Sequence, residues 1–168
     1  MIGELVVRAD RPWEINLGYW RQPDKTVESW RNLWFHTGDA FRLGEDGCFY
    51  FIDRMKDSIR RRGENISSFE IEREVNSHPA VLECAAVAVP AEYGEDEVKI
   101  VVAVRSGAFL GEEELLSYLR PRMAAYMLPR YIQIAASELP KTPTGKVRKA
   151  ALREEGVSGA WDREANSK

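Results

Sequence analysis

Two nearly continuous apolar runs in the second half of the chain constrain its fold more than any other feature. Residues 81–89 read Val-Leu-Glu-Cys-Ala-Ala-Val-Ala-Val, and residues 98–104 form a second run of the same kind. Runs without regular polar alternation are typical of strands that are covered on both faces or lie inside a sheet. With a further apolar segment at residues 131–135, they predict a three-stranded sheet at the core of the fold.

Helices are predicted between and after these strands. Ser67 and Glu70 form an S-x-x-E capping box, which starts a helix that ends near His78. Residues 112–123 open with three glutamates, which the positive end of a helix dipole stabilises, and Pro121 is expected to break or kink this helix. Residues 147–154 form a terminal helix. Together with a short two-stranded hairpin ahead of the first helix, these elements predict an α+β domain of the βαββαβ kind.

The first third of the chain differs, since its short strands are separated by turn residues. Strands are predicted at residues 4–9, 33–36, 40–43 and 48–52, with a glycine turn at 44–47. This pattern predicts a β-meander in which a Thr-Gly-Asp turn presents Asp39. An apolar strand so close to the first residue is expected of a shortened chain. The predicted divisions are residues 1–55 for the meander, 56–155 for the α+β domain and 156–168 for a polar, frayed tail.

Composition argues against several functional classes. The 168 residues are 44% hydrophobic, as in globular proteins, and the formal charge of −3 argues against a general nucleic-acid binder. The cysteines, Cys48 and Cys84, and the histidines, His36 and His78, are isolated from one another, so no metal site is predicted. No run approaches the roughly 18 apolar residues of a membrane span, and the N-terminus lacks a signal-peptide core, so we expect a cytoplasmic protein without a membrane span.

A cluster of cations falls within residues 52–72 of this slightly acidic chain. Five cations lie between Arg54 and Arg62, and Gly63, which follows them, permits close approach of a ligand to the backbone. This concentration of charge suggests an anionic ligand, the alternative being a solvated basic strand. Because side chains alternate along a strand, residues 60–62 must also turn one face toward solvent, acidic side chains or phosphate groups. A nucleic-acid ligand is disfavoured because no aromatic residues are interleaved with these arginines.

Two further segments could carry chemistry. Thr144-Gly145-Lys146 lacks the other glycine of a phosphate-binding loop, so it predicts no self-contained phosphate cradle. Lys146 could still deliver a point charge to a distant anion, or it could be a solvated loop lysine. Asp39 could accept hydrogen bonds from a diol such as ribose, or it could close an Asx turn. Arg54 could simply pair with Asp53 at the surface.

Taken in order, four segments resemble motifs of one family. Residues 34–39, Trp-Phe-His-Thr-Gly-Asp, resemble its aromatic-x-Thr-Gly-Asp motif, and residues 53–72 resemble its hinge motif with Gly-Glu-Asn-Ile-Ser. Residues 128–131, Leu-Pro-Arg-Tyr, and residues 139–148, which contain Pro-Thr-Gly-Lys, resemble its last two motifs. The chain thus resembles the C-terminal part of an AMP-forming acyl-CoA synthetase, in the adenylate-forming superfamily that includes firefly luciferase. The wording of residues 60–70 is most similar to the crotonobetaine/carnitine-CoA ligase-like branch.

The resemblance implies a ligase that joins a carboxylic acid to coenzyme A in two half-reactions. The carboxylate first attacks the α-phosphate of ATP, giving an acyl-adenylate and pyrophosphate, and the CoA thiol then displaces AMP. By resemblance, Asp39 and Arg54 hold the ribose hydroxyls, and Lys146 is the catalytic residue that stabilises charge at the α-phosphate. Lys56 is the hinge about which the C-terminal domain turns between half-reactions. The implied CoA-binding residues are Arg60, Arg61, Arg62, Gly63, Glu64 and Asn65.

The upstream parts of the family are missing from this sequence. The family's phosphate loop, adenine-binding segment and acyl pocket all precede these four motifs. The resemblance therefore implies a swivelling lid domain preceded by the end of a larger N-terminal adenylation domain, and inactive by itself. ATP, CoA and a small carboxylic acid are the expected substrates, with Mg²⁺ entering through the ATP phosphates on ligands outside this chain. The expected partner is the missing N-terminal adenylation domain; the alternative is a free-standing binding module that docks on a separate adenylating subunit.

Overall fold

The chain folds into two compact units, Met1–Lys56 and Asp57–Lys168. The computed structural model describes residues 2–11, 13–91 and 94–165 of them. The boundary therefore falls inside the charged segment that the sequence analysis places between two domains. No helix in these described ranges is long and apolar enough to cross a membrane.

The first unit is a four-stranded sheet built around one long strand. Its elements are β1 (Ile2–Val7), α1 (Pro23–Ser29), β2 (Trp30–Arg31), β3 (Trp34–Leu43) and β4 (Phe49–Arg54). β3 pairs antiparallel with each of the other three strands. α1 begins at Pro23, which suits the first turn of a helix because its missing N–H would have no partner there.

One strand replaces two that the sequence predicts in this unit. Separate strands are predicted at residues 33–36 and 40–43, whereas β3 runs without interruption through Thr37, Gly38 and Asp39. The predicted turn is wrong because the chain does not reverse here. The register of β1 with β3 shifts instead, so that Leu5 alone lies opposite all three residues. They form a bulge in a continuous strand.

The second unit is an α+β domain, which confirms the predicted fold class. Its elements are β5 (Ile59–Arg61), β6 (Glu64–Ile66), α2 (Ser68–Asn76), β7 (Val81–Pro90), β8 (Asp96–Val104), α3 (Glu112–Leu119), β9 (Tyr131–Ala135), α4 (Lys149–Glu154) and β10 (Trp161–Asp162). The main sheet has the strand order β10-β9-β8-β7, and β5 pairs with β6 in a separate hairpin. β8 and β9 are parallel, and the other neighbours are antiparallel.

Apolar side chains cover both faces of the main sheet, as the two apolar runs predict. Along β7, Cys84 and Ala86 belong to a cluster that includes residues of the β5–β6 hairpin, α2 and α3. Ala85 and Val87, at the alternating positions, belong to a second cluster that includes Leu152 of α4. The sheet is therefore the middle layer of this unit.

The main sheet has a fourth strand that the sequence analysis assigns to the polar tail. Trp161 and Asp162 form β10 and pair with Ile132 and Tyr131 of β9. The partly buried Trp161 packs against the larger core cluster. The expectation of a frayed tail is wrong at these residues, because one aromatic side chain and a backbone pairing hold them to the sheet.

The ends of two helices follow from local sequence. α2 begins after Ser67, whose Oγ accepts the Glu70 N–H at 3.1 Å, as the capping box predicts. α3 ends at Leu119 and not at the predicted Met123. Pro121 accounts for the early end, because proline has no N–H to donate to a preceding carbonyl.

Candidate functional site

The predicted ribose-binding residues, Asp39 and Arg54, form a cross-strand pair in the first unit. Asp39 on β3 lies directly opposite Arg54 on β4, and the Arg54 Nε is 2.9 Å from the Asp39 Oδ1. The Arg54 side chain is 50% exposed and the Asp39 side chain 24% exposed, although the Asp39 Oδ1 that faces Arg54 is buried. A guanidinium donates hydrogen bonds and a carboxylate accepts them, and the hydroxyls of a diol can use both. The pair is thus chemically suited to a ribose.

Hydrogen bonds hold the bulge that carries Asp39. The Thr37 hydroxyl donates to the Leu5 carbonyl at 2.7 Å and accepts the Asp39 N–H at 3.1 Å. Gly38 has a φ of +71°, a conformation that a side chain would strain. The bulge is therefore a defined structure, and it sets the position from which the Asp39 side chain leaves the strand.

The carboxylate of Glu4 also binds this bulge, which the sequence analysis does not foresee. Glu4 Oε1 accepts the Gly38 N–H at 3.1 Å, and Glu4 Oε2 lies 2.8 Å from the His36 Nδ1. The hydrogen bond from His36 lowers the pKa of Glu4, and the Gly38 N–H acts in the same direction. The partner of His36 lies on another strand, so no local pattern indicates the contact.

The predicted CoA-binding residues lie on the β5–β6 hairpin of the second unit. Its turn is Arg62-Gly63, with φ angles of +52° and +81°, and two positive angles are typical of a type I′ turn. The Gly63 N–H donates to both carboxylate oxygens of Glu95 at 3.2 Å. The exposed residues are Arg60, Arg62, Gly63, Glu64 and Asn65. Cations beside an exposed glycine turn can approach an anionic ligand closely.

Arg61 faces the other way and is buried, with 1% of its side chain exposed. Its Nε lies 2.6 Å from the Glu97 Oε2, and its Nη1 donates to the carbonyls of Tyr126 and Leu128 at 2.8 and 3.1 Å. Its charge is compensated inside the unit, so Arg61 is not available to a CoA phosphate, which corrects its predicted role. Solvent, acidic side chains and phosphate groups are the predicted surroundings of residues 60–62. The Arg61 side chain meets an acidic side chain, that of Glu97.

Lys146 is exposed at the end of a tight turn in the second unit. The Thr142 N–H donates to the Lys146 carbonyl at 2.7 Å, and the Lys146 N–H donates to the Thr142 Oγ1 at 3.1 Å. Gly145, with a φ of +80°, donates its N–H to the Thr142 carbonyl at 2.9 Å. The backbone is fixed while the flexible side chain extends into solvent, which suits a point charge that reaches an anion.

Ion pairs anchor the segments on both sides of this turn. Lys141 Nζ lies 3.1 Å from Glu83 Oε1 on β7. Lys149 Nζ, at the start of α4, lies 2.7 Å from Glu72 Oε1 on α2. The same Glu72 oxygen accepts the N–H of Ala86, on the terminal strand β7 of the sheet, at 2.8 Å. No local sequence pattern indicates these contacts, because each partner is distant along the chain.

The predicted hinge, Lys56, is exposed in a short 3₁₀ turn, Met55–Asp57, at the boundary of the two units. The next residue, Asp57, forms an ion pair with Arg153 near the end of α4. The hinge-proximal end of the second unit is therefore tied to the helix that follows Lys146.

A buried lysine supports the chain just after the C-terminal end of α4. The Lys99 side chain is fully buried on β8, and its Nζ donates to the Gly156 carbonyl at 2.7 Å. Burial lowers the pKa of Lys99. This residue is visible in the sequence as the one charge inside the apolar run 98–104, although its partner is not.

The ranges that the structure describes include both cysteines and both histidines. These ranges contain no group of three or more His, Cys, Asp or Glu side chains that could hold a metal ion. Cys48 is exposed and Cys84 is buried, and burial raises the pKa of the Cys84 thiol. Cys84 is therefore a core residue.

Comparison with known proteins gives one matching family model and a set of similar proteins. Residues 70–146, a range that ends at Lys146, match the AMP-binding enzyme C-terminal domain. A feruloyl-CoA synthase from Amycolatopsis sp is 38% identical over 151 residues, which are 90% of this chain and 30% of that protein. A long-chain-fatty-acid–CoA ligase from Escherichia coli O157:H7 is 40% identical over 153 residues, which are 91% of this chain and 26% of that protein.

The fold of this chain is also similar to parts of larger solved structures. ATP-bound MatB from Rhodopseudomonas palustris matches with a TM-score of 0.78 and 32% identity, over 92% of this chain and 30% of that one. The anthranilate CoA ligase AuaEII in complex with anthranoyl-AMP matches with a TM-score of 0.80 and 29% identity, over 93% and 30%. The amide bond synthetase McbA from Marinactinospora thermotolerans matches with a TM-score of 0.76 and 32% identity, over 92% and 31%. The chain spans less than a third of the length of the curated relatives described above.

Proposed function

Residues 70–146 match the AMP-binding enzyme C-terminal domain, and on that premise we propose that the chain is the C-terminal part of an ATP-dependent acyl-CoA ligase. The observation that carries the proposal is Lys146, an exposed lysine on a fixed turn inside the segment that matches this family. The phosphate loop and the acyl pocket would belong to protein outside these residues. The chain by itself would then be inactive, and its partner would be the larger adenylation domain.

In the proposed first half-reaction, a substrate carboxylate attacks the α-phosphate of ATP and pyrophosphate leaves. Negative charge grows on the phosphoryl oxygens in the transition state, and the Lys146 ammonium offsets it. Asp39 accepts hydrogen bonds from the ribose hydroxyls while Arg54 donates to them, which holds the nucleotide in place for the attack. Mg²⁺ would enter with the ATP phosphates, on ligands outside this chain.

In the proposed second half-reaction, the CoA thiol attacks the acyl carbonyl and AMP leaves. A rotation at Lys56 would withdraw Lys146 and present the β5–β6 hairpin in its place. Arg60 and Arg62 are exposed and suited to the phosphates of CoA, and Gly63 with Glu64 and Asn65 would line the pantetheine path. The support for this step is the exposure of the hairpin turn.

The proposal extends to the carboxylic acid that the ligase activates and to the acceptor of the acyl group. The wording of residues 60–70 supports the crotonobetaine/carnitine-CoA ligase-like branch. The two curated relatives are named for feruloyl-CoA and for long-chain fatty acids, which is the diversity expected if the acyl pocket lies outside the shared segment. The match to an amide bond synthetase makes an amine the alternative acceptor to CoA.

The test uses the full-length protein that contains this chain. It would be given ATP, Mg²⁺ and one of crotonobetaine, carnitine, ferulate or a long-chain fatty acid, with CoA or an amine as acceptor. We expect acid-dependent pyrophosphate release, and acyl-CoA by mass spectrometry. Amide formation without acyl-CoA would favour the alternative acceptor. Absence of pyrophosphate release with every acid, or turnover by the isolated 168-residue chain, would contradict the proposal.

A further inference from the structure

The bulge at Thr37–Asp39 depends on a strand that comes more than thirty residues earlier in the chain. β1 and β3 are in register at Glu4 and Ala40 and again at Val6 and His36, so the bulge is confined between these two pairs. Bulges re-aim side chains at functional sites. The direction of the Asp39 carboxylate is therefore set by whatever keeps the bulge in this conformation.

Two groups of β1 accept hydrogen bonds from the bulge, one from a side chain and one from the backbone. The Leu5 carbonyl accepts the Thr37 hydroxyl at 2.7 Å, and the Glu4 carboxylate accepts the Gly38 N–H at 3.1 Å. The first contact uses a main-chain atom that any residue provides. The second uses a side chain, so Glu4 is the position where the sequence of β1 matters.

Glu4 is itself held in place and charged. Its second oxygen lies 2.8 Å from the His36 Nδ1, and its side chain is 23% exposed. Hydrogen bonds to a charged acceptor are stronger than those between neutral groups. The carboxylate thus holds Gly38, which directly precedes Asp39, and His36, two residues before Gly38, to β1.

We infer that Glu4 is a positioning residue for Asp39, and through Asp39 for the ribose of the nucleotide. This inference rests on the proposed function for the identity of the ligand. Glu4 does not touch the nucleotide in this account; it acts by fixing the bulge that aims Asp39 toward Arg54. Loss of its carboxylate would leave the Gly38 N–H without this acceptor and would free the bulge to relax.

The first measurement is ribose discrimination in the full-length enzyme. We compare kcat/KM for ATP with kcat/KM for 2′,3′-dideoxy-ATP in the wild type, Glu4→Ala, Glu4→Gln and Asp39→Ala. Glu4→Ala should lower the preference for ATP by about tenfold, the size of one charge-assisted hydrogen bond, and Asp39→Ala by at least as much. Glu4→Gln should fall between, because its amide oxygen can still accept the Gly38 N–H. Glu45→Ala, which removes an exposed carboxylate from the same unit, should leave the preference unchanged.

The second measurement is amide hydrogen exchange of the peptide around Gly38 in the 168-residue chain, which needs no ligand. Glu4→Ala should speed this exchange, and Glu45→Ala should not. Unchanged exchange in both Glu4 variants, or an unchanged ATP preference in them while Asp39→Ala loses it, would overturn the inference. If exchange rises but Asp39→Ala keeps the preference, the positioning of Asp39 is supported and its assignment to the ribose is what fails.

Discussion

Arg153 on α4 pairs with Asp57, the first residue of the second unit, so the helix that follows Lys146 is tied to the residue that follows the predicted hinge. The Asp57 side chain is 12% exposed and the Arg153 side chain 28% exposed, so water screens their attraction only in part. The ion pair therefore joins the residue that follows Lys56 to the C-terminal end of α4.

Breaking this pair should destabilise the second unit. Removing one partner leaves the other partly buried and uncompensated, so Asp57→Asn and Arg153→Gln should each cost about 1–3 kcal/mol in unfolding free energy. Urea denaturation measures the cost, and the double variant should lose less than the sum of the two. Arg73→Gln is the control, since its pair with Glu74 is mostly exposed on the arginine side and should matter by under about 1 kcal/mol. Additive losses from the two variants would show that the residues do not interact.

Lys146→Ala should separate the two half-reactions of the full-length enzyme. Because the proposed role of the ammonium is to offset charge at the α-phosphate, acid-dependent pyrophosphate release should fall by about a hundredfold or more. Thioester formation from supplied acyl-adenylate should stay within a few-fold of the wild type. Lys25→Ala, which removes an exposed lysine from α1, should affect neither step. An equal loss in both steps would contradict the proposed exchange of Lys146 for the hairpin.

Neighbouring arginines of the β5–β6 hairpin should behave differently when neutralised. Arg61→Gln leaves Glu97 buried and unpaired, which should cost about 3–5 kcal/mol in unfolding free energy. Arg60→Gln and Arg62→Gln should change stability by less than about 1 kcal/mol, because both side chains are exposed, yet raise the KM for CoA. Urea denaturation and steady-state kinetics give the two readouts. A stable Arg61→Gln variant whose only defect is in CoA use would contradict the burial of Arg61.

Lys99 should give the second unit a pH-dependent stability in alkaline solution. Burial lowers its pKa in the folded state below the ordinary value of 10.5, so between the two values the unfolded chain holds a proton that the folded chain does not. Stability should therefore rise as pH increases through that window. Lys99→Met lacks the titrating group, so its stability should not have this pH dependence. The unfolding free energy of the wild type minus that of Lys99→Met should therefore increase as pH rises. Lys25→Met, at an exposed lysine, should show a constant difference, and a constant difference for Lys99→Met would refute the argument.

Much of the second unit can be predicted from sequence because its determinants are local. The apolar runs at 81–89 and 98–104 identify strands covered on both faces, and Ser67 with Glu70 marks the start of α2. The position of Lys146 after a glycine likewise predicts an exposed turn. In these cases neighbouring residues determine the structure.

The features that could not be predicted depend on distant residues. The bulge at Thr37–Asp39 donates a hydrogen bond to the carboxylate of Glu4, and buried Arg61 contacts Glu97 and carbonyls beyond α3. β10 has no sequence signal because Trp161 is the one aromatic residue in a mostly polar segment, and its packing site exists only once β9 is in place. Each of these contacts is invisible to periodicity and local motif.

The Glu72 side chain has one more consequence, for how this protein behaves among other copies of itself. β7 is the last strand of the main sheet, and an outermost strand offers unpaired amides to any strand that arrives from solution. At Ala86 that amide is already taken by the Glu72 carboxylate, which Lys149 holds in turn. The Glu72 carboxylate on α2 thus occupies an amide to which the edge strand of a neighbouring molecule could otherwise pair. This contact disfavours edge-to-edge aggregation at Ala86.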